Sequence, residues 1–222
     1  MVKSTRSAEH PLNAEGIWSE ILRRPARCRP ALFLDRDGAV IDETGYLCRA
    51  DDIAIIPGAA DVIAAANNRG IPVVMVTNQS GMGRGYYGWT EFKSVQEVLL
   101  ANLAANGARI DAVYACAHHP RAKGLFAHPD HPSRKPNPGM LLQAARDLAL
   151  ELKSSWLVGD KANDIEAAKR AGIAGALLVA TGYGAADHQQ AAKLAGPNFD
   201  LRFGQSIADA MTLPLMMPKD AA

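Results

Sequence analysis

The stretch ALFLDRDGAV, residues 31–40, closes an apolar run with two acids, Asp35 and Asp37, separated by one arginine and followed by glycine. Neighbouring carboxylates repel, so a cation, a shared proton or a division of labour must justify keeping them together. Three more polar clusters follow apolar runs or precede helices. VTNQSG sets Thr77, Asn78, Gln79 and Ser80 after a β-branched segment. SRKPNPG places Arg134 and Lys135 before a Pro-opened helix, and VGDKANDIEAA places Asp160, Lys161 and Asp164 after another apolar segment.

This mixture suits one kind of chemistry. Carboxylates from two strand ends, Asp35 and Asp160, can share a hard, oxygen-seeking ion such as Mg²⁺. Hydroxyl, amide and lysine donors at 77–80 and 135 suit an oxyanion with several acceptor oxygens, which suggests phosphate. A carboxylate beside a metal and facing bound phosphate can attack phosphorus. A second carboxylate two residues on can protonate the leaving oxygen and later activate water. Asp35 and Asp37 would then hold different jobs.

The elements that must position these groups alternate along the chain. Strands are expected at 31–34, 71–78, 110–116, 154–160 and 173–181, and helices at 57–70, 90–107, 138–150 and 163–172. Such alternation indicates βαβ units and an α/β fold, a three-layer Rossmann-like parallel sheet covered on both faces. In open sheets of this kind ligands bind at the carboxyl ends of the strands, where all four clusters fall. Residues 1–30 stand apart as an N-terminal extension: 1–13 read as a polar, mobile arm, and AEGIWSEILRR as a short amphipathic helix with Ile17, Trp18, Ile21 and Leu22 on its apolar side. A main domain is expected over 31–204, with a C-terminal tail at 205–222 whose sequence carries no signal.

At 222 residues, 48% hydrophobic and 21% charged, the chain fits one globular domain. A net charge of +1 without a basic run argues against nucleic acid as the main partner. No apolar run approaches the ~20 residues of a membrane span, and no signal-peptide core appears. Three cysteines at irregular spacing, Cys28, Cys48 and Cys116, fit a reducing cytoplasm.

In order and content, DRDGAV, VTNQSG, SRKPNPG and GDKANDIEAA resemble the four motifs of haloacid dehalogenase-like phosphatases. More narrowly, DETGYL, TNQSGMGRG, CAHHP and RKPNPGM resemble the D-glycero-D-manno-heptose 1,7-bisphosphate phosphatases, a branch that also holds histidinol-phosphate phosphatases. The resemblance runs over residues 31–184. It implies a fold without a large cap domain and a Mg²⁺-dependent phosphomonoesterase acting on a small phosphorylated metabolite, a sugar bisphosphate used in lipopolysaccharide biosynthesis. It assigns Asp35 as the phosphorylated nucleophile, Asp37 as general acid/base, and Thr77 and Lys135 as holders of the transferring phosphoryl group. Mg²⁺ would take the Asp35 carboxylate, the Asp37 main-chain carbonyl and the Asp160 carboxylate. Arg36, Asn78, Gln79, Ser80, Arg134 and Lys161 would face substrate, with Glu43 and Tyr46 on a loop at the pocket mouth. Asp164 would support the metal through water or cap the following helix. Ala39 replaces the threonine usual in the first motif.

The segment CAHHPRAKGLFAHPDHPS, within the loop 116–137, crowds Cys116, His118, His119, His128 and His131. In the heptose phosphatases this loop carries a structural zinc, bound by Cys-x-His and a later Cys-x-Cys. Cys116 and His118 match the first pair and His131 the third ligand, but Ser133 stands at the fourth, and serine is a poor zinc ligand. His128 could complete a Cys-His₃ site, water could fill the fourth position, or zinc could be lost. His119 is expected to serve local hydrogen bonding. A monomer is expected. The rivals are a histidinol-phosphate phosphatase and, from another class, a non-catalytic phosphate-binding module.

Overall fold

In a computed structural model, residues 12–217 are described. Seven strands form one sheet: β1 (Trp18–Ile21), β2 (Leu32–Leu34), β3 (Val73–Asn78), β4 (Ala112–Cys116), β5 (Trp156–Gly159), β6 (Gly175–Val179) and β7 (Asp200–Gly204). Their spatial order is β1-β4-β3-β2-β5-β6-β7. Strands β2 to β7 run parallel, and β1 joins the β4 edge antiparallel.

Strand alternation builds a core on each face. Leu32, Leu34, Val73, Met75, Val113 and Val158 point to one side, while Phe33, Val74, Val76, Tyr114 and Leu157 point to the other. Parallel strands buried on both faces read as continuous apolar runs, and these do. The first face is covered by α1 (Ala59–Asn68) and α3 (Trp89–Ala105), the second by α4 (Gly139–Leu148) and α5 (Ala162–Ala171). Two shorter helices, α2 (Ser80–Arg84) and α6 (Gly184–Ala192), follow β3 and β6. Among the described residues no helix is long and apolar enough to cross a membrane.

The segment expected as an N-terminal helix is instead strand β1. Ile17 is buried in one core and Trp18 in the other, so these consecutive residues face opposite ways, as a strand requires. The Asn13 side chain accepts from the amides of Glu15 and Ile17 and folds the turn that feeds the strand. Docking of β1 also satisfies the edge of β4, which would otherwise present unpaired backbone groups. The proposed arm at 1–13 lies mostly outside the described residues. In the C-terminal segment Ile207, Ala210, Leu213 and Met216, on or between two short 3₁₀ turns, are buried in the first core.

Candidate active site

Strand β2 is central, and the chain winds outward from it through β3 and β4 on one side, then through β5, β6 and β7 on the other. A crevice opens where those directions diverge. It encloses about 280 Å³ at the carboxyl ends of β2, β3 and β5, and every residue expected to be catalytic or to face substrate lines it.

Lys135 organises the floor. Its buried ammonium lies 2.9 Å from Asp35 Oδ1 and 2.7 Å from Asp164 Oδ1, and it donates to the Val76 carbonyl at 2.9 Å. Asn78 holds the lysine main chain, donating to its carbonyl at 3.0 Å and accepting from its amide at 3.1 Å. Desolvation opposes the lysine charge, but Asp164 and Asp35 outweigh it and raise the pKa. Burial pushes Asp35 up to about 6, with Lys135 pulling it back. Asp35 Oδ1 also accepts from the Arg36 amide at 2.7 Å.

Asp160 is fully buried. Its Oδ2 accepts from the Tyr183 amide at 2.9 Å, while Oδ1 has no hydrogen-bond partner. Burial, then the charges of Asp35 and Asp164, push it up to about 8. Gly38 and Gly182, both with positive φ, close over this acid, and a Cβ on either would come 2.2 Å from Asp160 Oδ2. Asp164 both caps and pairs: Oδ2 accepts from the Lys161 amide at 2.9 Å, while Oδ1 meets Lys135. One oxygen each from Asp35, Asp160 and Asp164 lies within 4.8 Å of the others. Buried acids this close, one with an orphaned oxygen, fit a divalent cation.

Asp37 has its own set of partners. Its carboxylate accepts from Arg36 Nε at 3.1 Å, Arg36 Nη2 at 3.0 Å and Gln79 Nε2 at 2.9 Å, with Thr77 Oγ1 at 3.5 Å. Gln79 in turn accepts from the Tyr87 hydroxyl at 2.5 Å and donates to Thr77 at 2.8 Å. Arg36, expected to face substrate, lines the cleft with its side chain held inside the protein. Its side chain is 1% exposed, paired with Asp37 and Gln79, and its cation sits 5.5 Å over the Phe92 ring. Residue order alone could not show this, because Phe92 and Gln79 reach Arg36 only through the fold.

At the rim, Lys161 meets Glu43 at 3.0 Å and lies 4.4 Å over the Tyr183 ring. Desolvation opposes its charge, but Asp35, Asp160 and Glu43 overcome that and raise its pKa. Tyr46, 45% exposed, packs edge-on against Tyr86 and accepts from Arg84 Nη1 at 2.5 Å. Ser80 starts α2 at the cleft wall, and Arg134 donates to the His118 carbonyl at 3.0 Å. Tyr87, Asn163 and Tyr183 also line the cleft and escaped the sequence reading. Tyr183 contributes a main-chain amide, for which residue type carries no signal.

The histidine loop is held by ring stacking and main-chain bonds, with His118 Nδ1 left without a partner among the described residues. The rings of His118 and His131 stack, with centroids 3.7 Å apart and planes at 4°. His118 Nε2 bonds the Gly16 carbonyl at 2.9 Å, His131 Nδ1 accepts from the Ser133 amide at 3.1 Å, and His128 Nδ1 accepts from the Asp130 amide at 3.1 Å. Cys116 Sγ lies 4.0 Å from His131 Nδ1, and burial pushes the thiol up to about 11. Among the described residues, the acid trio is the one group placed to share a metal. His119 serves the local role expected of it, accepting from the Arg121 amide at 2.9 Å.

Acids at the ends of the central strands of this topology mark a hydrolase of the haloacid dehalogenase-like (HAD) class, and known proteins agree. A family model described as HAD-hydrolase-like matches residues 132–201. The D-glycero-beta-D-manno-heptose-1,7-bisphosphate 7-phosphatase of Mesorhizobium japonicum is 49% identical over 172 residues, 77% of this chain and 79% of that protein. The enzyme of the same name from Escherichia coli K12 is 37% identical over 71% of this chain and 82% of its own. A crystal structure from Mesorhizobium loti described as a HAD-like phosphatase superposes with a TM-score of 0.79 at 43% identity, covering 89% of this chain and 90% of that one. The D,D-heptose 1,7-bisphosphate phosphatase of B. bronchiseptica, solved with magnesium and phosphate, gives 0.72 at 30% identity, covering 82% and 95%. This chain belongs to the D-glycero-D-manno-heptose-1,7-bisphosphate 7-phosphatase family of HAD-like phosphatases.

Proposed function

We propose that the chain removes the 7-phosphate of D-glycero-D-manno-heptose 1,7-bisphosphate through a phospho-Asp35 intermediate. The observation that carries this reading is Asp35 itself, at the switch point of the sheet with its Oδ1 taken up by Lys135 and the Arg36 amide. Those contacts orient the carboxylate and leave Oδ2 to attack phosphorus. The Asp35–phosphorus bond forms as the phosphorus–sugar-oxygen bond breaks, and Asp37 gives its proton to the departing oxygen. Asp37 then takes a proton from water, whose oxygen attacks phosphorus and frees Asp35 and inorganic phosphate. Arg36, Gln79 and Tyr87 fix where Asp37 waits for both transfers. Lys135 and Thr77 hold the phosphoryl oxygens, and Ser80, Arg134, Lys161 and Tyr46 contact the sugar and its distal phosphate.

The carboxylates of Asp35 and Asp160, with Asp164 behind them, suit Mg²⁺, which when bound neutralises charge on the phosphoryl oxygens. The B. bronchiseptica relative, solved with magnesium and phosphate, supports that choice. For the histidine loop, the main-chain bonds of its three rings favour a loop held without zinc. The chain is further read as a cytoplasmic monomer that supplies heptose for lipopolysaccharide.

The test is kcat/KM with Mg²⁺ across both anomers of the heptose bisphosphate, histidinol phosphate and unrelated sugar phosphates. The M. japonicum relative is named for the β anomer, so that anomer is expected to lead. A preference of about 100-fold, or about 2.7 kcal/mol of transition-state discrimination, secures the substrate. A flat profile removes the heptose assignment and leaves the phosphatase.

A further inference from the structure

The end of the sheet opposite Asp35 carries a second cleft of very different charge. The loop after β1, the approach to β3 and the approach to β4 enclose about 300 Å³, lined by Arg23, Arg24, Arg29 and Arg109 together with Asn67. One acid lines it among the described residues, Asp111, and that carboxylate is already engaged with the Val73 amide at 2.9 Å and Arg109 Nε at 3.2 Å. The active cleft, in contrast, sets Asp35, Asp37, Glu43 and Asp164 against its own cations.

The side chains of Arg29, Arg24 and Arg109 each have a partner, and the Arg23 main chain is tied down. Arg29 Nη1 donates to the Gly70 carbonyl at 2.9 Å, and a Cβ at residue 70 would lie 2.5 Å from that nitrogen, so glycine there lets the guanidinium lie against the chain. Arg24 donates to the Asp147 carbonyl, and the Arg23 amide bonds the Asp111 carbonyl at 2.9 Å. A guanidinium has five N–H donors, so one bond to a carbonyl orients it and leaves most of its donors for another partner. Four like charges drawn together from separate segments repel one another unless an anion joins them. Planar forks that line a concave site match the oxygens of phosphate groups. Four arginines against one aspartate leave a formal charge of +3, and a diphosphate brings about three negative charges to such a site, against about two for a single phosphate.

We propose that this cleft is a second, non-catalytic site that binds the diphosphate group of a small molecule. The group could belong to free pyrophosphate or to a nucleoside diphosphate.

The test is calorimetric titration of the Mg²⁺-loaded full chain with pyrophosphate and with ADP at physiological salt, with inorganic phosphate present in excess to occupy the active cleft. Saturable binding is expected, weakened at least tenfold in Arg23→Gln/Arg24→Gln and separately in Arg109→Gln, with kcat/KM for phosphate release unchanged in all of them. Tighter binding of ADP than pyrophosphate would identify a nucleotide as the source, and equal binding the bare diphosphate. Unchanged binding in both sets of variants overturns the proposal. So does binding that sulfate matches, or binding confined to long polyanions such as heparin, since either reports a diffuse basic surface.

Discussion

At the ends of β2 and β5, three buried carboxylates each offer an oxygen within 4.8 Å of the others. In the loop after β4, two histidines lie ring on ring, and each ring bonds a main-chain atom. Both regions have the residue types of a metal site, and they differ in what fixes the side chains. Parallel strands hold Asp35 and Asp160 in register, Gly38 and Gly182 close over Asp160, and Lys135 ties Asp35 to Asp164. The loop rings each take a main-chain bond instead, and although His118 Nδ1 is left without a partner, no strand frame aims their nitrogens towards one point. Ligand geometry here follows from the frame rather than from the ligands.

The sharpest way to break that contrast is to remove the nucleophile. Asp35→Asn should lower phosphate release from heptose bisphosphate roughly 10⁴-fold or more under saturating Mg²⁺, because nothing else in the cleft replaces an attacking carboxylate. His131→Ala should leave turnover within a few-fold of the parent. Full turnover in Asp35→Asn would remove the covalent mechanism.

Next comes Lys135→Met. The change deletes the cation between Asp35 and Asp164 and leaves two buried charges uncompensated. Breaking a buried pair this way costs about 3–5 kcal/mol, which for a chain of this size lowers Tm by roughly 10 °C. A thermal melt of the folded variant checks it, and an unchanged Tm would mean that the lysine does not hold the acids together.

The third concerns pH. Asp35 at about 6 and Asp160 at about 8 lie above the ordinary carboxylate value of 3.8. From there up to those values the two acids bind more protons in the folded chain than in the unfolded one, so they make stability fall as pH rises, while the lowered histidines oppose them below about 6.5. Lys135 and Lys161, with raised pKa values, stay charged in both states across this window and add no slope. Metal-stripped protein should therefore melt at a lower temperature at pH 8 than at pH 7, above the histidines, and Mg²⁺ should flatten the difference. A metal-free Tm that climbs over that range would show that the acids do not repel as described.

How much of this is legible in the chain itself depends on the range of the interaction. Strands β2 to β6 announce themselves as apolar runs ending in polar residues, because both of their faces are buried. The acids and Lys135 follow from what stands at those ends. Strand β1 is misread because Ile17 and Trp18 are adjacent: that spacing suits a helical stripe until the β4 edge sets them on opposite faces. Strand β7, DLRFG, is only partly buried and shows no apolar run. The place of Arg36 beside Phe92 and Gln79 is a tertiary fact, and residue type alone suggests an exposed cation.

The smallest expected effect tests the other half of the comparison. Zinc at the histidine loop would have to take the proton from Cys116, a buried thiol held up at about 11, and turn His131 away from the Ser133 amide. Burial also lowers His131 to about 4, so that ring is neutral and already serves as an acceptor at physiological pH. Chelation followed by return of Mg²⁺ should leave Tm unchanged, and elemental analysis should find no stoichiometric zinc. His118→Ala should cost about 1 kcal/mol, the worth of the lost bond to the Gly16 carbonyl, or about 2–4 °C in Tm. Stoichiometric zinc whose removal lowers Tm well beyond that would mean that the loop reorganises into a tetrahedral site, and that the hydrogen bonds do not hold these rings against the metal.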